Sequence, residues 1–284
     1  MKLARYWTRA QGEAEGRSGP IRVTSRGWSN DSLQAARAVA RDNAQRVAEK
    51  IASNHAPSQR YPYGDRPLPE PVLREFQPDR DGPAAVVTRN VYGSTVLNTR
   101  DLMFVDIDKE EKPYGALASG LASGFRSLFG KPAPAQTVLT EIQAVAERNS
   151  LTVRAYKTAA GYRVLITNRA FEAGEHRTED LLSQFSADPL YVRLCRMQES
   201  FRARLTPKPW RCGLSVPPVT FPFETPEATS RFQNWERDYT SAIQSYATCR
   251  YMASFGSSPM ASGFEELVQY HDQETRAASL LPLA

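Results

Sequence analysis

The sequence predicts an α+β protein, in which an antiparallel or mixed sheet is flanked by helices and the C-terminal part is mainly helical. Three observations lead to this fold class. An amphipathic helical pattern lies near the N-terminus, a region rich in Val, Thr and aromatic residues follows at 84–108, and helical patterns dominate from residue 178 onward.

The clearest helical pattern runs through residues 31–52. Apolar side chains recur there at three- and four-residue spacing, which is typical of an amphipathic helix: Leu33, Ala36, Val39, Ala40, Ala44, Val47 and Ile51. Ser29 or Asn30 is suited to cap this helix, and residues 21–28 alternate like a short strand. Residues 1–55 are therefore predicted to form a strand and a helix that pack on the core.

Residues 56–83 contain seven prolines and predict an extended arm without regular structure. An α/β core is predicted at 84–222. It comprises two or three strands at 84–108, a small-residue connection at 115–136, a helix at 137–149 and a strand pair at 151–168. Further helices are predicted at 178–186, 188–200, 225–255 and 262–276. Residues 223–284 then form a helical part in one compact unit with the core.

Composition excludes several classes of protein. The three cysteines Cys195, Cys212 and Cys249 show no CxxC spacing, which argues against a disulfide framework and a structural zinc site. No apolar run approaches the roughly 18 residues of a membrane span, and the first residues lack the apolar core of a secretory signal. A cytoplasmic protein without a membrane partner is predicted.

The common catalytic signatures are also missing from the sequence. Neither a P-loop nor a GxSxG elbow is present. The histidines His55, His176 and His271 stand alone, and each is interpreted as a surface residue.

One pair of carboxylates suggests metal chemistry. Asp106 and Asp108 end the apolar run "MFVDID", and alternate strand residues point to the same face. Two carboxylates on one face can hold Mg²⁺ or Mn²⁺. The alternative is a buried strand that simply ends in solvent.

Basic residues form the second candidate feature. In the strand pair, Lys157 and Arg163 are predicted to hold a triphosphate opposite the aspartates, or to lie on a solvated outer face. The densest cluster falls within sixteen residues, 196–211, where Arg202, Arg204, Lys208 and Arg211 accompany Trp210. Cations interleaved with aromatic rings are typical of nucleic-acid or nucleotide binding, although arginines can also pair internally.

With these motifs in view, residues 84–212 resemble the catalytic core of the archaeo-eukaryotic primase (prim-pol) superfamily. "FVDID" matches its Asp-x-Asp strand, and "YKTAAGYRVLI" matches its strand pair with a glycine turn, with Arg163 in place of the histidine. Glu199 is the nearest counterpart of the third carboxylate. The resemblance implies an RRM-like sheet, metal ligation by Asp106, Asp108 and Glu199, and nucleotidyl transfer with nucleic acid or a nucleoside triphosphate as partner.

The sequence shows two further resemblances. "YKTAAGYR", "DPLYVRLC" and "FRARLTPKPWRC" resemble segments of a group of bacterial proteins to which no function is assigned. "FVDID" and "VLITN" are similar to motifs of haloacid-dehalogenase-like phosphatases, although Glu110 stands where that family has Thr or Val.

The preferred functional hypothesis is a nucleic-acid- or nucleotide-binding protein with a metal-dependent nucleotidyltransferase site. The leading alternative is a non-catalytic nucleic-acid-binding or adaptor protein with a degenerate site. A net charge of +5 supports an anionic partner in both cases.

Overall fold

A computed structural model describes residues 1–53, 66–79, 82–108 and 135–284. It confirms the α+β class, because all strand pairings within its sheets are antiparallel and six α-helices accompany them. The chain divides into two compact units. Unit 1 comprises 1–100 and 194–246, and unit 2 comprises 101–193 and 247–284.

The elements follow each other in a mixed order along the chain. The strands are β1 (Tyr6–Gly16), β2 (Gly19–Ser29), β3 (Val72–Asp79), β4 (Gly82–Arg89), β5 (Thr95–Thr99), β6 (Phe104–Asp108), β7 (Val153–Thr158), β8 (Gly161–Ile166), β9 (Phe201–Arg204) and β10 (Cys249–Phe255). The helices are α1 (Leu33–Ala52), α2 (Ala135–Arg148), α3 (His176–Gln184), α4 (Pro189–Gln198), α5 (Pro226–Ala242) and α6 (Glu265–Thr275).

Unit 1 begins with a hairpin of β1 and β2, on which α1 packs. Ser32 caps the helix by accepting a hydrogen bond from the Ala35 amide, so the cap lies two residues beyond the nearer predicted position. The buried stripe of α1 consists of four alanines at four-residue spacing: Ala36, Ala40, Ala44 and Ala48. Of the larger side chains in the pattern, Leu33, Val39 and Ile51 are exposed and Val47 is half-buried.

Close contact of helix and hairpin explains this difference. A Cβ added at Gly27 would lie 2.2 Å from the Ala40 amide nitrogen, and one added at Gly12 would lie 2.5 Å from the Ala44 carbonyl carbon. Because two glycines face the alanine stripe, the backbones approach closely and no larger side chain fits between them.

The second sheet of unit 1 has the strand order β3-β4-β5-β9. Its buried apolar side chains include Ala85, Val87 and Leu97. A separate cluster on α5 combines Phe232, Trp235 and Tyr239 with partly buried side chains of the 214–223 segment. This cluster holds the turns that present the candidate interface described below.

Unit 2 contains one sheet, of order β10-β7-β8-β6, which makes β6 an edge strand. Its outward carbonyls are occupied: the Asp188 amide donates to the Asp106 carbonyl, and the Tyr191 hydroxyl donates to the Phe104 carbonyl. Ile107 lines a small cavity together with Val138 and Ile142 of α2. On the opposite face, α6 covers part of the sheet.

The units do not follow the predicted domain limits. Residues 84–222, predicted as one core, are divided between units 1 and 2, and so are residues 223–284. The cause is strand pairing, because β9 joins β5 in unit 1 whereas β10 joins β7 in unit 2. The chain leaves each sheet and later returns to it, which local patterns do not reveal.

Several elements also differ from the prediction. β1 and β9 were not predicted, and β3 lies within the segment predicted as an irregular arm. The helix predicted at 225–255 ends at Ala242, and Cys249–Phe255 is a strand because it pairs with the otherwise open edge of β7. Most of the connection predicted at 115–136 lies outside the described residues. Within the described part of the chain, no helix is both long and apolar enough to cross a bilayer.

Candidate nucleic-acid interface

The two predicted metal ligands share a face of the unit 2 sheet. Asp106 and Asp108 are half-buried on β6, whereas Val105 and Ile107 between and beside them are buried. Asp106 lies opposite Arg163 of β8, and Asp108 lies opposite Gly161. Strand alternation therefore places Arg163 on the same face as both carboxylates.

Arg163 is part of a polar network beneath α6. The side chain is only 3% exposed, and its Nη1 lies 3.2 Å from Nε2 of His271. Because a guanidinium only donates, Nε2 accepts and the ring proton sits on Nδ1, 3.0 Å from the Asp272 carboxylate. Asp272 in turn accepts from the Tyr156 hydroxyl at 2.7 Å and from Arg154 at 2.5 Å. His271, predicted on the surface, is fully buried.

The network shifts the pKa values of its members. Burial, which outweighs the hydrogen bond to Asp272, and the nearby Arg163 lower the pKa of His271 to about 4. Burial opposes the charge on Asp272, but hydrogen bonds from His271 and Tyr156 prevail and hold the pKa of that carboxyl below its ordinary value. At neutral pH, His271 is therefore neutral and Asp272 is ionised.

Lys157 does not join this network. It pairs in register with Tyr162, which in turn lies opposite Ile107, so Lys157 projects from the other face of the sheet. Its ammonium lies 4.4 Å from the centroid of the Tyr162 ring. The two residues predicted to hold a triphosphate together, Lys157 and Arg163, are thus separated by the sheet itself.

The proposed third metal ligand lies in the other unit. Glu199 follows α4 with a φ of +50°, and its carboxylate pairs with Lys2 at 3.2 Å. In the described ranges, no group of three His, Cys, Asp or Glu side chains could hold a metal ion. Mg²⁺ is commonly held by one or two carboxylates together with water and phosphate oxygens, so a metal site at Asp106 and Asp108 stays a prediction.

The basic segment of unit 1 divides into two parts. Arg202, on β9, faces inward: Nη2 contacts both carboxylate oxygens of Glu70 at 2.9 Å, and Nη1 donates to the Asn98 side chain at 2.6 Å. The pair is buried, with side-chain exposures of 9% for Arg202 and 7% for Glu70. Arg204, two residues along the same strand, projects from the same face. This part of the segment belongs to the fold of unit 1.

The second part forms an exposed aromatic surface, here called the Trp210 platform, which consists of Tyr92, Lys208 and Trp210. Trp210 and Tyr92 are each 48% exposed, and their rings meet edge to face with centroids 5.4 Å apart. The Lys208 ammonium lies 5.4 Å from the centroid of the Trp210 ring. Arg211 is half-buried in the same 3₁₀ turn, Pro209–Cys212.

The platform is rigidly supported from below. The Tyr239 hydroxyl of α5 donates to the Pro207 carbonyl at 2.5 Å, and the Ser94 hydroxyl donates to the same carbonyl at 3.0 Å. A Cβ at Gly93 would lie 2.0 Å from the Trp235 ring, which shows how closely the Tyr92 turn packs on α5. Lys208 and Trp210 are therefore presented on a preorganised turn.

Tyr92 was not among the predicted site residues. It belongs to the turn "NVYGS" between β4 and β5, within the region that the sequence predicts as two or three strands. An exposed aromatic residue in a short turn was the available signal, but its partner Trp210 lies far along the chain. Their proximity depends on the pairing of β5 with β9.

Comparisons of the chain with protein-family models, with curated proteins and with solved structures gave no match. The short-motif resemblances to primases and phosphatases therefore stay predictions.

Proposed function

We propose that this protein binds single-stranded nucleic acid through the Trp210 platform and that this binding requires no catalysis. The observation that carries the proposal is the half-exposed Trp210 ring, which is flanked by Lys208 and supported at its edge by Tyr92. Exposed aromatic rings stack on unpaired bases, and an adjacent cation attracts the phosphates. A sequence pI near 9.1 favours the same class of partner.

Rigidity supports a binding role for this surface. Large aromatic side chains on a turn held by hydrogen bonds and close packing lose little conformational freedom when a ligand binds. Each of the two rings keeps about half of its surface exposed to water. The arrangement therefore favours a partner that stacks on Trp210.

The arrangement of unit 2 supports the non-catalytic form of this proposal. Arg163 is buried against His271, and Lys157 lies on the opposite sheet face. Neither arrangement suits a triphosphate clamp beside Asp106 and Asp108. A binding protein needs no such clamp.

The test is titration of a fluorescein-labelled single-stranded oligonucleotide with the protein, in which fluorescence anisotropy measures the affinity of every variant. In the wild type, quenching of the intrinsic tryptophan fluorescence gives a second measurement. A base stacked on Trp210 quenches its emission, whereas Trp7 and Trp235 are buried. Trp210→Ala is expected to weaken affinity roughly 5- to 150-fold, because a base–aromatic stack is worth about 1–3 kcal/mol. Trp210→Phe retains a ring and should recover part of that affinity.

Leu73→Ala is the matched control, since Leu73 is also 48% exposed and lies on β3 of unit 1. Its affinity should equal that of the wild type. Binding should fall steeply with salt and be unaffected by EDTA. Absence of oligonucleotide binding at low salt, or equal affinity of wild type and Trp210→Ala, would reject the proposal.

A second candidate function is the metal-dependent nucleotidyl transfer implied by the primase resemblance. The observation in its favour is that Asp106 and Asp108 share one half-buried face at a strand end. Calorimetric titration with Mn²⁺ tests the prerequisite. Binding that Asp106→Asn and Asp108→Asn each remove would revive this candidate, and wild-type protein that binds no Mn²⁺ would retire it.

A further inference from the structure

Two arginines lie directly opposite each other in the N-terminal hairpin. Arg9 of β1 and Arg26 of β2 are partners in the antiparallel register, so their side chains leave the same face. Like charges at directly opposed positions destabilise a strand pair. The hairpin nevertheless places two guanidinium groups side by side.

Neither guanidinium is neutralised within the described part of unit 1. Arg9 donates only to neutral groups, the Thr220 carbonyl at 3.2 Å and the Thr220 hydroxyl at 3.1 Å, and its Nε is buried without a hydrogen-bond partner. The described residues give the Arg26 side chain no hydrogen bond or ion pair. The nearest acid on β1, Glu13, pairs with Arg22 instead.

The environment strengthens the repulsion between these two groups. Desolvation of part of the side chain and, after it, the charge of Arg9 lower the pKa of Arg26, and no carboxylate among the described residues offsets either effect. A guanidinium nevertheless keeps its charge throughout the physiological pH range. Arg9 is half-buried and Arg26 is exposed at the surface. Two neighbouring cations without a counter-ion among the described residues are an arrangement that a bound anion would stabilise.

A narrow crevice adjoins Arg26. Its lining includes Val91, Thr220 and Phe221, and also Arg89, whose guanidinium is paired with Glu236. The crevice volume of about 40 Å³ has room for a few water-sized groups, which excludes a base or a sugar. Val91, which lines the crevice, immediately precedes Tyr92 of the Trp210 platform in the same turn.

We propose that Arg9 and Arg26 form a phosphate-binding site, which takes one phosphodiester group of the strand that stacks on the Trp210 platform. This inference rests on the proposed function. Paired guanidinium groups present several donors in fixed planes, which match the oxygens of a phosphate. The phosphate group fits into the small crevice, whereas the base stacks on Trp210 of the platform.

The salt dependence of oligonucleotide binding tests the site. For single strands, the slope of log affinity against log salt changes by about 0.7 for each phosphate neutralised. The double variant Arg9→Gln/Arg26→Gln should therefore show a slope shallower by about 0.7, whereas Trp210→Ala weakens binding without changing the slope. Arg22→Gln removes one charge from the same hairpin and should keep the wild-type slope. A double variant with the wild-type slope, or an equal change in Arg22→Gln, overturns the inference.

A second experiment uses inorganic phosphate. Because this anion has no base that could stack on Trp210, it tests the arginine site independently of the platform. All four tryptophans belong to unit 1, so the melting of that unit can be followed by their fluorescence. Phosphate, compared with chloride at equal ionic strength, should raise the melting temperature of wild type and of Trp210→Ala, but not of the double arginine variant. If the wild type binds no oligonucleotide, the proposed nucleic-acid binding at the platform is rejected, but the proposed anion site is not. A phosphate effect lost in the double variant then still supports the anion site, and no phosphate effect overturns it.

Discussion

Arg163 lies opposite Asp106 in the β8–β6 register, and its guanidinium contacts His271 of α6 on the same face of the sheet. The residue that stands where the primase resemblance expects a histidine is therefore a buried link between sheet and helix. Its burial beneath α6 means that a triphosphate would have to displace that helix to reach it. Asp106 and Asp108 consequently lie beside an arginine that stabilises the fold. The candidate nucleic-acid interface is therefore the Trp210 platform of unit 1.

Replacing Arg163 by Met should destabilise unit 2. The substitution removes a charged donor from His271, and hydrogen bonds to charged groups are worth roughly 1.5–3 kcal/mol. Amide hydrogen exchange of β7 and β8, measured by mass spectrometry, should become faster. Arg177→Met, an exposed position on α3, is the control and should leave exchange unchanged. Unchanged exchange in Arg163→Met would show that the contact contributes nothing.

Unit 2 should lose stability on acidification. His271 has a pKa of about 4 in the folded protein and an ordinary value of 6.5, so between these values the unfolded chain binds a proton that the folded chain does not. Stability is therefore expected to fall as the pH drops from about 6.5 to about 4. The loss amounts to roughly 3 kcal/mol, since one pKa unit corresponds to about 1.4 kcal/mol.

Hydrogen exchange of the β7 and β8 amides across this pH range, corrected for the intrinsic rate, measures the effect. His271→Gln cannot take up the proton and should lack this pH dependence. His176→Gln should retain it, because His176 is exposed on the first turn of α3. A pH dependence that persists in His271→Gln would assign the effect to another group. The lowered pKa of Asp272 acts in the same direction, but only below its ordinary value of 3.8.

The Glu70–Arg202 pair should be essential for the stability of unit 1. Glu70→Gln leaves the buried Arg202 charge without its counter-ion, which typically costs about 3–5 kcal/mol. Urea denaturation followed by tryptophan fluorescence reports on this unit. Glu13→Gln breaks an exposed pair with Arg22 and should change stability by at most about 1 kcal/mol. Similar losses in the two variants would contradict the internal role assigned to Arg202.

Gly27 should tolerate no side chain. The Cβ of Gly27→Ala would meet the α1 backbone at 2.2 Å and force the helix away from the hairpin, which should cost about 1–3 kcal/mol or more. Gly16→Ala is the control, because its Cβ meets the flexible end of Ile21. Tryptophan fluorescence during denaturation follows both variants, since Trp7 and Trp28 lie in the hairpin. Equal stabilities would mean that α1 and the hairpin are not held in close contact.

Much of the local structure could be read from the chain. The apolar spacing of 31–52 predicted α1, and the Val- and Thr-rich stretch at 84–108 predicted the strands that became β4, β5 and β6. The glycine turn at 158–161 predicted the hairpin of β7 and β8. A Cβ at Gly161 would lie 1.9 Å from the Ile107 carbonyl oxygen, so a glycine is needed where the strands meet. These features depend on near neighbours in sequence, and for that reason the sequence reveals them.

The candidate site was predictable only in part. Asp106 and Asp108 share a face as the two-residue period requires, and Lys208 and Trp210 are close in sequence. The inward direction of Arg202 was not predictable, because Glu70 lies 132 residues away in sequence. The pairing of Tyr92 with Trp210 and of Arg9 with Arg26 likewise depends on strand register.

By itself, the sequence determined the α+β class, the helix α1, the hairpin of β7 and β8, and the excess of positive charge. Those properties follow from local periodicity and composition. Only the tertiary structure decided which cations are neutralised, because an arginine has the same sequence signature whether it meets a buried carboxylate, as Arg202 does, or another arginine, as Arg9 does. The pairing of strands that are distant in sequence determines which arginines meet a carboxylate. It thereby determines where an anionic partner can bind.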